Sequence, residues 1–173
     1  MILGLDISTS IVGVTIINNS KIILSEAWDL RNKNKYPDVF AKIDFIKEKI
    51  KEIGTNHSLE AIYIEKSLQM FRSGFSSAKT LSTLSSFNGT VSYLCHQELG
   101  IKPEYISASS ARKACNISVP RGQKAKQVVL QFLLDNEPQF VVEYTKAGNP
   151  KPKYYDIADS IVIAKAGQQL GNR

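Results

Sequence analysis

A mixed α/β fold, a five-stranded sheet flanked by helices on both faces, is predicted by three observations. Three β-branched apolar runs, "MILGLDI", "IVGVTIIN" and "KIILSEAW", follow one another at the start, separated by short polar turns. Two further short apolar runs, "LEAIYIE" and "IKPEYIS", are each preceded by a segment of helical spacing. The length of 173 residues, 43% of them hydrophobic, suffices for a core and predicts a single domain over 1–173.

Taken in order, the first three runs fit an antiparallel meander. "LRNKNKYPD" is a polar loop. From 37 to 53 the residues Val39, Phe40, Ile43, Ile46 and Ile50 recur at helical spacing, with a Lys/Glu face between them and Gly54 as a C-cap. The strand at 59–65 ends in Glu65 and leads into the loop "KSLQMFRSGFSS". A long helix over 76–99 closes at Gly100; its Phe87, Tyr93 and Leu94 suit either the core or an interface between two copies. A short strand at 101–107 precedes a short helix in "SSARKACNI", capped by Ser109 or Ser110. "VPRGQKAKQVVLQFLLD" gives a turn and an amphipathic helix. The stretch 136–153 is irregular, with "TKAGNPKPK" as a mobile loop, and an amphipathic helix carrying Asp156 and Asp159 closes the chain. The strand–helix–strand units should be parallel with right-handed crossovers.

The net charge of +6 points to a polyanionic partner, nucleic acid before an anionic membrane surface. No apolar run approaches the roughly 18 residues of a membrane span, so no membrane partner is expected. The apolar N-terminus lacks the basic flank and cleavage site of a signal peptide. Cys95 and Cys115 have no metal-ligand spacing and read as buried thiols in a reducing compartment. That places the protein in the cytoplasm or another reducing intracellular space, the host's if the source is viral. His57 and His96 read as surface or capping residues.

Four carboxylates stand out. Asp6 and Glu65 each end an apolar strand, where an acid reaches the cleft at the carboxyl edge of the sheet instead of a core that would penalise it. Asp156 and Asp159 lie one helical turn apart and can face one point, although acids in a first helical turn also serve as caps. Hard oxygen donors without His or Cys select Mg2+, with Mn2+ as substitute, over zinc. With the basic charge this predicts two-metal phosphodiester hydrolysis, two ions per site. One ion would generate a hydroxide and the other would stabilise the leaving 3′ oxygen.

"GLDISTSIVGVTII", the acid Glu65 after the fourth strand and "DIAD" in the last helix resemble the ribonuclease H-like superfamily, and within it the RuvC-type Holliday junction resolvases. The resemblance extends over nearly the whole chain, including "SSAKTLSTLSSFNG" and "SSARKA…QKAKQVV". It implies a ribonuclease H-like fold and a structure-selective endonuclease that resolves four-way DNA junctions, with Asp6, Glu65, Asp156 and Asp159 as catalytic metal ligands. It also implies Arg112, Lys113, Arg121, Lys124 and Lys126 as phosphate contacts, though Lys124 and Lys126 equally suit the polar face of a helix. In "QMFRSGFSS", Phe71 and Phe75, flanked by Arg72, suit core packing or stacking on an unpaired base. A near-two-fold junction calls for a two-fold homodimer, built by resemblance on the long helix. Ser8 stands where many members have glycine, and the 135–155 stretch is longer than in bacterial members. The rival readings are a ribonuclease H-like RNase, a broader branched-DNA nuclease, and a non-catalytic nucleic-acid-binding module. A sugar-kinase or actin-like ATPase needs a duplicated domain, for which the chain is too short.

Overall fold

A computed structural model describes residues 1–67 and 78–171. β1 (Ile2–Ile7), β2 (Ile11–Asn18) and β3 (Lys21–Asp29) form the expected meander. α1 (Val39–Asn56) crosses to β4 (Ala61–Glu65), and α2 (Ala78–Leu99) crosses to β5 (Glu104–Ile106). The sheet order is β3-β2-β1-β4-β5, with β1 parallel to β4 and β4 parallel to β5. α3 (Ala108–Ala114), α4 (Ala125–Asn136) and α5 (Lys153–Gly171) complete the chain.

Alternation along the strands builds two cores. Leu3, Leu5, Val12, Val14, Ile62 and Ile64 pack with Ile46 and Ile50 of α1 and Phe87, Val91 and Cys95 of α2. Tyr63 and Ile106 pack on the other side with Val129 and Leu133 of α4 and Ile157 and Ile161 of α5.

Five expectations are corrected. The closing helix is not amphipathic: Tyr154, Ile157, Ala158, Ser160 to Ala164, Ala166 and Gly167 are all buried, because the helix is sandwiched between the sheet and α3 and α4. α1 runs through Gly54 and ends at a His57 cap, whose amide donates to the Ile53 carbonyl. Gly54 instead allows close approach to α2, since a Cβ there would lie 2.5 Å from a Leu99 methyl. Phe40 is 71% exposed because it sits about 100° around the helix from the inward Ile43–Ile46–Ile50–Ile53 stripe. α3 is capped by Ser107, whose hydroxyl accepts from the Ser110 amide, ahead of the expected Ser109 or Ser110. The segment expected as an irregular loop contains a hydrogen-bonded turn, in which Tyr144 bridges Pro150 and the Lys151 amide donates to the Glu143 carbonyl. Of the cysteines, Cys95 is buried as expected, while Cys115 is half-buried at the end of α3. No helix among the described residues is long and apolar enough to cross a membrane.

Candidate functional site

Leu3, Leu5 and Ile7 of β1 point to the α1/α2 core. By alternation Ile2, Gly4 and Asp6 face α5, as do Ala61, Tyr63 and Glu65 of β4. The parallel register ends at Leu5 beside Ile64, and its next step sets Asp6 beside Glu65. Both acids thus leave the carboxyl ends of adjacent parallel strands. α5 supplies Asp159, and one carboxylate oxygen each from Asp6, Glu65 and Asp159 lies within 4.8 Å of the others. Asp156, one turn earlier, stands outside that trio but acts electrostatically on Asp6 and Glu65.

Small residues bring α5 this close. Gly13 is the β2 partner of Asp6, and a Cβ on it would collide with the Asp156 backbone carbonyl. A Cβ on Gly4 would lie 2.6 Å from the Ser160 carbonyl and the Ala164 amide. Between them Thr15 and Ser160 share a buried hydroxyl–hydroxyl bond of 2.7 Å, and Ser160 Oγ also donates to the Ile157 carbonyl. On the other face, the Asn88 side chain of α2 donates to the Glu65 carbonyl at 3.1 Å and fixes the end of β4. Ser8 shapes the turn after Asp6: its hydroxyl donates to the Ile11 carbonyl and accepts from the Ser10 and Ile11 amides.

Burial pushes the Asp6 carboxyl well above its ordinary range, and the Glu65 and Asp159 charges push it further. Burial, then Asp159, raises Glu65 to about 7. Burial raises Asp156 and Asp159 too, partly offset by Lys126. Desolvated like charges at this spacing call for a cation. Lys126 supplies one: its Nζ lies 3.4 Å from Asp156 and 3.6 Å from Asp159. Although burial lowers its pKa, these carboxylates outweigh that and raise it. The all-oxygen donor set fits a hard divalent ion. Asp6, Glu65 and Asp159 could hold it, with Asp156 a further donor.

Of the expected phosphate contacts, Lys126 therefore faces the carboxylates. Arg112, in the last turn of α3, is close enough to lower Glu65 and Asp159. Lys113, Arg121 and Lys124 are exposed, the last at the start of α4. Phe71, Arg72 and Phe75 lie outside the described residues. Sequence reasoning missed Asn88, Gly13 and the cation role of Lys126. Asn88 was detectable, as an amide in the apolar stripe Leu84–Phe87–Val91–Leu94; the other two require knowing which strands and helices meet.

No family model and no curated protein matches the sequence. Solved structures do match. RuvC of T. thermophilus in complex with Holliday junction substrate superposes with a TM-score of 0.68 at 15% identity, covering 99% of this chain and 94% of that one. A second Thermus thermophilus RuvC structure gives 0.64 at 15% identity, over 99% and 95%. The yeast mitochondrial Holliday junction resolvase Ydc2 gives 0.62 at 16% identity, over 99% and 80%. The overall fold, a mixed five-stranded sheet with helices on both faces, is thus shared with these RuvC-type structures.

Proposed function

We propose that this protein is a metal-dependent endonuclease that resolves four-way DNA junctions by phosphodiester hydrolysis. The observation carrying this reading is the trio Asp6, Glu65 and Asp159, whose oxygens meet within 4.8 Å at the carboxyl edge of a RuvC-type sheet. Asp6, Glu65 and Asp159 would hold one Mg2+ or Mn2+, and Asp156 would contribute to a second. When bound, such ions lower the pKa of attacking water and neutralise charge on the leaving oxygen. Asn88 and Gly13 keep Glu65 and α5 in register for that ligation. With the carboxylates neutralised, Lys126, its side chain 59% exposed, is free to pair a phosphate oxygen. Arg112, Lys113, Arg121 and Lys124 would carry the flanking phosphates. Phe71, Arg72 and Phe75 would meet unpaired bases at the junction centre.

The neighbours RuvC and Ydc2 are described as Holliday junction proteins, which supports this substrate over an RNA–DNA hybrid. A homodimer follows from the two-fold junction, with α2 as the interface: Phe87 and Leu94 are committed to the core, while Tyr93 is 62% exposed. All five strands belong to one sheet, which supports a single nuclease domain over 1–173, and the free Cys95 and Cys115 suit a reducing space inside the cell. The test is purified protein with Mg2+ on labelled four-way junction, Y-fork, duplex DNA and RNA–DNA hybrid. Paired symmetric cuts in the junction are expected. Preferential cutting of the hybrid would replace the reading with an RNase, and equal cutting of junction and fork with a broader branched-DNA nuclease.

A further inference from the structure

We infer that the turn over 141–151, which leads into the carboxylate helix, is a nucleic-acid-binding arm that stacks an unpaired base on Tyr144 and pairs a phosphate with Lys146. The inference rests on the nuclease reading above.

The arm is anchored at its base. Phe140 and Val142 are buried in the α4/α5 core, and Phe140 meets Tyr154 edge-on with centroids 6.4 Å apart. Glu143 gathers three donors: Lys151 Nζ, Lys153 Nζ at 3.3 Å and the Tyr154 hydroxyl at 2.9 Å. The turn closes through the Thr145 amide to the Asn149 carbonyl at 2.7 Å, and Gly148 takes a φ of +77°. A turn held this way has little backbone entropy left to lose on binding.

Among the described residues the side chains of Val141, Tyr144 and Lys146 make no hydrogen bond or ion pair. Val141 is 76% exposed and Tyr144 53% exposed. Lys146 is exposed and meets no carboxylate among the described residues. Pro152 alone separates the arm from α5, and Asp156 lies about 4.5 Å along the helix axis from Lys153. The arm therefore adjoins the N-terminal end of the helix that carries Asp156 and Asp159. A ring and an unpaired ammonium suit an unpaired nucleotide, since any base offers a π-face and any phosphate a charge. A protein partner fits less well, because a few side chains fall far short of the roughly 800 Å² per partner of a stable interface.

The experiment is fluorescence-anisotropy binding of a labelled four-way junction in EDTA, across a salt series, for wild type, Tyr144→Ala, Tyr144→Trp, Lys146→Ala and Lys124→Ala. Tyr144→Ala should weaken binding about ten-fold while Tyr144→Trp retains it. Lys146→Ala should lower the salt slope by about one. Thermal unfolding of each variant checks that the fold is intact, and Lys146→Ala decides the matter if Tyr144→Ala is unstable. Wild-type affinity and slope in the Tyr144 and Lys146 variants, with Lys124→Ala weakened, would overturn the arm and leave the nuclease reading standing. Unchanged DNA affinity with an altered mass in solution would make the arm a protein contact and overturn it too. If wild type binds no junction, both readings fall.

Discussion

Asp6 and Glu65 occupy positions that cost the metal-free protein stability. Folding raises the Glu65 pKa from 4.5 to about 7, so the folded chain binds a proton that the unfolded chain releases. Stability from this group is full at or below about pH 4.5 and is lost as pH rises through about 7. Asp6 is shifted in the same direction. Asp29 and Glu143, both lowered by their basic partners, act in the opposite sense, but only at acid pH. The metal-free protein should therefore melt at a lower temperature near pH 7.5 than near pH 5, and Mg2+ should close most of that gap by binding the ionised cluster. Calorimetric scans at the two pH values, with EDTA and with Mg2+, check this. A Glu65→Gln variant should lose much of the pH effect. All four acids were legible in the sequence as candidates, Asp6 and Glu65 because a carboxylate ending an apolar run has few structural uses, and Asp156 and Asp159 because they stand one helical turn apart. Their geometry was only partly legible: the spacing of Asp156 and Asp159 did not say that Asp159 joins Asp6 and Glu65 while Asp156 stands apart.

At the scale of elements, the position of α5 on the sheet decides whether the cluster forms. The helix was visible in the sequence, but its burial was not. An apolar face of Ile157, Ile161 and Val162 reads as amphipathic until α3 and α4 cover the other side. Nor could the sequence distinguish the glycines at 4 and 13 from flexible strand positions, since their reason is the backbone of a helix more than 140 residues away. Gly13→Ala tests this contact. The new methyl meets the Asp156 carbonyl, which cannot move without shifting the first turn of α5. A loss of about 1–3 kcal/mol in stability is expected, with a larger fall in cleavage than in DNA binding. Urea denaturation and single-turnover cleavage separate the two.

For the whole molecule, the proposed function makes substrate choice depend on the distribution of charge and on two-fold symmetry. Lys126 of α4 and Arg112 of α3 lie beside the carboxylate cluster, and exposed Lys124 stands at the start of α4, so a cationic surface adjoins the cluster. Phosphate contacts on that surface should dominate affinity and the carboxylates should dominate rate. If two such sites act on one junction through α2, Tyr93→Glu should place a charge in the interface and give a monomer in sedimentation velocity. Its cuts in the two strands of a junction should then become uncoupled in time, whereas wild type should cut both within one binding event. The measurement that bears most directly on the central claim is single-turnover cleavage of a labelled four-way junction in Mg2+ by wild type and by Asp6→Asn. Wild type should cut, and Asp6→Asn should be slower by about a thousand-fold with junction affinity largely retained. Cleavage by Asp6→Asn at the wild-type rate would contradict the assignment of the carboxylate cluster as the metal-binding catalytic centre.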